Sequence, residues 1–192
     1  MENAPNMEQL FKGVSEFAPI IVTGFLFMNS AFNLDAKALV WVGPVIVWMI
    51  ALRFLQPFLG NKTPDTCSKW LGQYSNPCLS SFLIMYTLGY IGAPMPVHND
   101  WNYMAIAAFL FLFGIDAVVK YKTECGSFWG IVNGGVFGIA IGSLMYFIFK
   151  WAGLEKVLYY TTGDSNRVYC SKPKEQSFKC HVYKNGNIIS SL

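Results

Sequence analysis

Side chains able to do acid–base, nucleophilic or metal chemistry are sparse in this chain of 192 residues. Histidine occurs only at His98 and His181, and cysteine at Cys67, Cys78, Cys125, Cys170 and Cys180, with no CxxC pair. That inventory offers no zinc-ligand spacing, so neither a metal nor another cofactor is expected. Cys170 and Cys180 can close a small loop in an oxidising compartment, or stay as free thiols. Two formal charges, Arg53 and Asp116, stand alone inside otherwise apolar runs. In hydrocarbon a charge at a helix centre costs roughly 2.5–3.5 kcal/mol, so each requires a partner, an exit to water or a task. Arg53 either pairs with Asp116 or snorkels to the headgroups. A proton or ion path is a third reading, but no second acid or histidine lies at the same depth to relay.

A second pattern is steric. Gly126, Gly130, Gly134, Gly138 and Gly142 recur at every fourth residue, and each step of four advances about 40° around a helix, giving a slanted smooth stripe. Membrane helices use small-xxx-small stripes for close backbone approach. The stripe serves either packing within the chain or association with a second copy or another protein. A bulky side chain at Gly134 would damage either contact.

The elements that must position these residues follow from composition. Hydrophobic residues make up 54% and charged residues 13%, about half the charge of an ordinary globular domain. Glu16 and Asp35, Lys69 and Asp100, and Glu124 and Lys150 bracket uncharged stretches of 18, 30 and 25 residues. A membrane-crossing helix needs about 20 predominantly apolar residues. The expected fold is therefore an all-α integral membrane bundle of five helices, over 17–33, 38–56, 77–94, 102–119 and 127–150. Glu2 and Glu8 precede the first run, which is read as a retained span and not a signal peptide. Residues 1–16, with Met7, Leu10, Phe11 and Val14 at helical spacing, read as an amphipathic segment on the membrane surface. Trp70, Trp101, Trp129 and Trp151 fall near expected span ends, where indoles favour the interface.

Residues 17–152 thus form the membrane bundle and 153–192 an extramembrane tail. The tail changes character: Phe178 to Tyr183 alternates, Asn185-Gly186 is a hairpin turn signal, and Ile188-Ile189 begins a return strand. From Lys150 to Leu192 there are seven basic and three acidic residues. Lys172, Lys174, Lys179 and Lys184, set among aromatics, suit anionic headgroups or an acidic protein surface better than nucleic acid. Charge gives no firm orientation. The N-terminus and the loops after the second and fourth spans hold six basic residues against Lys37 in the opposite short loops, which by loop counting alone puts the N-terminus inside, while the basic tail lies opposite those six.

With the spans in place, Lys62-Thr63-Pro64, then Asn76-Pro77-Cys78-Leu79-Ser80-Ser81, then residues 120–130 resemble the three motif positions of the type-2 phosphatidic acid phosphatase superfamily. That family carries a Lys/Arg-Pro motif, a Pro-Ser-Gly-His motif and a Ser-Arg, His and Asp set there. No histidine follows Pro77 here, His98 lies in another loop and His181 in the tail. Without nucleophile and proton donor there is no phosphoryl transfer to run, so the resemblance implies a related helical core and not an enzyme.

The stretch Cys170-Ser171-Lys172-Pro173, with Phe178-Lys179-Cys180-His181-Val182-Tyr183-Lys184-Asn185-Gly186, is similar to the C-termini of membrane proteins of large nucleocytoplasmic DNA viruses, including those of algae. This resemblance implies a structural virion protein in the internal membrane beneath an icosahedral capsid, bound through its tail to capsid or minor capsid protein.

Overall fold

A computed structural model describes residues 7–65, 67, 73–159, 181–184 and 187–191, with side chains described for 11–65, 67, 73–155 and 157–159. The chain divides into two units, Met1–Thr162 and Gly163–Leu192. In the first, the described elements are α1 (Met7–Phe32), α2 (Lys37–Leu59), α3 (Leu79–Gly92), α4 (Pro94–His98), α5 (Tyr103–Lys122) and α6 (Phe128–Trp151), followed by a 3-10 turn at Glu155–Val157. In the second, the described residues are two short antiparallel strands, β1 (His181–Lys184) and β2 (Asn187–Ser191). The turn expected at Asn185-Gly186 lies outside the described residues, as do Lys172, Lys174, Lys179, Cys170 and Cys180.

Among the described residues, four helices are long and apolar enough to cross a membrane: Phe11–Phe32, Lys37–Leu59, Tyr103–Lys122 and Phe128–Trp151. Their outer faces carry Phe25, Phe32, Phe54, Phe58, Phe111 and Val136, all exposed. The buried set, by contrast, includes Ser15, Ser30, Gln56, Ser80, Ser81, Thr87, Asp116 and Lys120. Apolar outside with polar groups gathered inside suits a bundle whose solvent is lipid. Trp101, Trp129 and Trp151 are exposed at the start of α5, the start of α6 and the end of α6.

The expected third span is different. Pro77 and Pro94 bracket the apolar run, so α3 has only 14 residues, about 21 Å at 1.5 Å per residue. That is short of the ~30 Å hydrocarbon core. Eleven of those residues are buried, so α3 is the interior helix around which the longer ones pack. Two expected boundaries also move. α1 runs unbroken from Met7, so Met7–Glu16 and the first span form one helix, and Ser15 is buried within it. At the far end Leu158 is buried and the Tyr159 hydroxyl donates to Leu26 O at 2.8 Å. The bundle therefore continues past 152, because these two side chains close over α1.

The α3–α6 seam is built from glycine. A Cβ at Gly138 would lie 2.5 Å from Phe82 O and 2.8 Å from Tyr86 N. Cβ atoms at Gly130, Gly134 and Gly142 would likewise collide with the carbonyls of Ser75, Cys78 and Tyr86. From α3 the approach is returned by Gly89, whose Cβ would lie 2.5 Å from Ile139 O. Rising numbers on both sides mean that α3 and α6 run parallel. Side chains could not be accommodated between backbones this close, so the stripe from Gly130 to Gly142 is occupied within the chain. Gly126 is not part of it: it precedes α6, and its amide donates to Lys120 O at 3.1 Å.

Candidate functional site: a buried carboxylate at the disulfide end

One end of the bundle gathers the start of α3, the start of α6, the ends of α2 and α5, and the two loops between them. Gln56 Nε2 donates to Pro77 O at 2.8 Å, Ser75 N to Asn61 O at 2.9 Å and Cys78 N to Gly130 O at 2.9 Å. Lys62 and Tyr74 form an isolated antiparallel bridge in the loop after α2. A disulfide joins Cys67 in that loop to Cys125 in the turn before α6. Ser127 caps α6, its hydroxyl accepting from Gly130 N at 3.0 Å, which fixes where the helix begins.

Beneath these loops lies Asp116, with no exposed surface. Its Oδ1 accepts from Ser15 Oγ at 2.8 Å, and its Oδ2 from Ser80 Oγ at 2.8 Å and Ser81 Oγ at 2.9 Å. The carboxylate thereby ties three helices, with Ser15 from α1, Ser80 and Ser81 from α3, and the acid itself from α5. Consecutive Ser80 and Ser81 both reach it because α3 begins there and presents its first turn to the α1–α5 groove. Cys78 Sγ lies 3.3 Å from Ser80 Oγ, and this buried thiol extends the cluster toward α6. Lys120, one turn beyond Asp116 on α5, is 8% exposed and lies under Gly126.

Of the two intramembrane charges, Asp116 is thus satisfied by hydroxyls while Arg53 is exposed on α2. The structure does not bring them together, and an exposed Arg53 three residues before buried Gln56 is placed to reach the headgroups. The three stretches with phosphatase resemblance do meet at this end. No histidine is among them: His98 lies at the opposite end, its Nε2 3.4 Å from Tyr146 Oη. Among the described residues no group of three or more His, Cys, Asp or Glu side chains is placed to hold a metal.

Sequence reasoning missed Ser15, Ser80, Ser81 and the Cys67–Cys125 pair. The serines carry no pattern of their own. The cysteines did leave a signal, because helix parity puts the loops after the second and fourth spans on one face.

At the opposite end the α1–α2 turn is held by Ser30, whose hydroxyl donates to Asp35 Oδ1 at 2.8 Å, and by Lys37 Nζ, 3.1 Å from Asp35 Oδ2. Burial works against ionisation of Asp35, but the Ser30 hydroxyl and Lys37 outweigh it and hold the carboxyl below its usual range. Burial, followed by the nearby Asp35 charge, pushes the Tyr159 hydroxyl up to about 12.

The fold defines a multi-pass membrane protein. No family model, curated protein or solved structure matches the chain.

Proposed function

We propose that this chain is a structural membrane protein, a rigid multi-pass anchor whose basic tail docks on a protein partner at the membrane surface. The closure of α6 on α3 carries the reading. With Gly130, Gly134, Gly138 and Gly142 occupied inside the bundle, and Asp116 accepting from hydroxyls on two other helices, the interior is built for cohesion. What remains for a partner is the tail. An isolated two-stranded hairpin is marginal in water, so a hairpin over 178–189 would gain its stability by docking. Lys172, Lys174, Lys179 and Lys184 select an acidic surface. The similarity from Cys170 to Gly186 to tails of large DNA virus membrane proteins points to capsid or minor capsid protein above a virion inner membrane.

The test is a truncation after Thr162, chosen because Leu158 and Tyr159 belong to the bundle. The truncated chain should insert into membranes as the full chain does and be lost from purified capsids. Retention on capsids would refute the anchor reading.

A second reading, an ion or proton path, has one observation in its favour: a carboxylate with no exposed surface in the membrane bundle. Proton or sodium flux into liposomes that disappears in Asp116→Asn would support it.

A further inference from the structure

The two ends of the bundle differ in their chemistry. Cys67 and Cys125 are bonded at the end where α6 begins. The 24 residues of α6 then carry the chain to the other end, where Tyr159 meets Leu26 near the α1–α2 turn. Residues 163–192 follow from there. The disulfide and the last described residues of this unit therefore lie at opposite ends of the bundle.

Charge alone orients the bundle only weakly. By sequence the disulfide end has Lys12, Arg53, Lys62, Lys69, Lys120 and Lys122 at or near span ends. The other end has Lys37, Lys150, Lys156 and Arg167 within a comparable distance, and further lysines beyond. Basic residues more than about 15–20 positions from a span weigh little in orientation. Six against four is a narrow lean toward a cytosolic disulfide end.

The disulfide points the other way. Persistent disulfides form in oxidising compartments and are rare where glutathione and thioredoxin keep thiols reduced. Forming this one removes two protons and two electrons from the Cys67 and Cys125 thiols. A disulfide-exchange donor takes them, its own disulfide becoming a dithiol. Such a donor must reach the loops holding Cys67 and Cys125, and both loops lie at one end of the bundle. By contrast Cys78, buried in the cluster beneath them, remains a free thiol.

We infer that the end bearing Cys67 and Cys125 faces an oxidising compartment, lumenal or external, and that residues 163–192 lie on the reducing, cytosolic side. Whatever acidic surface the tail meets is then a cytosolic-side one. The inference stands independently of the partner's identity, since it uses only the disulfide and the direction of α6.

The experiment uses the full chain carrying an epitope after Leu192, made in eukaryotic cells. Sealed microsomes are treated with a membrane-permeant alkylating agent before lysis, then reduced and labelled with a maleimide polymer that adds visible mass per thiol. A Cys67→Ser/Cys125→Ser variant identifies the contribution of this pair. In parallel, protease is added to sealed microsomes and the epitope is followed. The expected result is two polymer additions after reduction that are absent from the double variant, together with loss of the epitope without detergent. Alkylation of Cys67 and Cys125 before reduction would overturn the inference. So would an epitope protected until detergent is added while the pair is oxidised. Neither outcome bears on capsid binding, so failure here is distinguishable from failure of the anchor reading.

Discussion

Replacing Gly138 by alanine puts the α3–α6 seam under the most direct stress. The new methyl carbon would lie 2.5 Å from Phe82 O and 2.8 Å from Tyr86 N, both backbone atoms of a helix buried on all sides. Restoring an ordinary contact of 3.4 Å requires the helices to part by about 0.9 Å. Overpacking alone costs about 1–3 kcal/mol. A radial gap of roughly 0.5–1 Å also forfeits a quarter to a half of each dispersion well along the seam. The cost should therefore reach or pass about 3 kcal/mol, against a gain of at most ~1 kcal/mol from replacing a helical glycine. The net, about 2 kcal/mol or more, at roughly 2–4 °C per kcal/mol for a chain of this size, should lower the midpoint in detergent by at least about 4–8 °C. Gly114→Ala in α5 is the control, because a Cβ there meets nothing within 4 Å, and it should be neutral or slightly stabilising. Thermal unfolding of purified variants, followed by size-exclusion fluorescence, reads both. Equal midpoints for Gly138→Ala and Gly114→Ala would refute the reasoning.

Further outcomes follow from the same geometry. Asp116→Ala leaves the hydroxyls of Ser15, Ser80 and Ser81 without their acceptor. At about 1–3 kcal/mol for each buried group left unsatisfied, it should lower the midpoint more than Ser15→Ala, Ser80→Ala or Ser81→Ala alone. The reverse ranking would show that the cluster is not cohesive. Reducing Cys67–Cys125, which closes a separation of 58 residues, removes at most about 4 kcal/mol on the chain-entropy model; an unchanged midpoint after reduction would argue that the loops are held by other contacts. The α1–α2 turn should show opposite pH limits. The Asp35 carboxyl is held below its ordinary value of 3.8, so its contribution is present above that value and is lost as pH falls through the lower folded value. Tyr159, raised from 10.0 to about 12, contributes below pH 10 and loses that contribution as pH rises through about 12. Tyr159→Phe should remove the alkaline limit and leave the acid one, as read from stability against pH.

Long uncharged stretches and period-four glycines are visible in one dimension, and they delimit the long helices and mark α6 as a surface for close approach. What the glycines meet was not visible, because the partner is the backbone of α3. Phe82, Tyr86 and Tyr90 announce nothing about carbonyls lying beneath their side chains. The length of α3 is not legible for a related reason. An uncharged stretch from 70 to 99 signals burial in something apolar, and neighbouring helices satisfy that as well as lipid does. Asp116 stood out as a charge in an apolar run. Its partners did not, since serine hydroxyls in Ser15, Ser80 and Ser81 are cheap to place anywhere on a membrane helix, where they can bond to the preceding turn. Leu158 and Tyr159 escaped notice because the composition turns polar around them before the packing ends.

The central claim is that α3 is an interior helix sheathed by lipid-facing ones. Spin labels on single cysteines at Ile84, Phe54 and Val136, in the protein reconstituted into bilayers, test it through collision rates with dissolved oxygen and with a polar nickel complex. Ile84 has no exposed surface, whereas Phe54 and Val136 are 73% and 60% exposed. High oxygen accessibility at Phe54 and Val136, with neither reagent reaching Ile84, is the expected result. A label at Ile84 that meets oxygen as freely as one at Val136 would contradict the account.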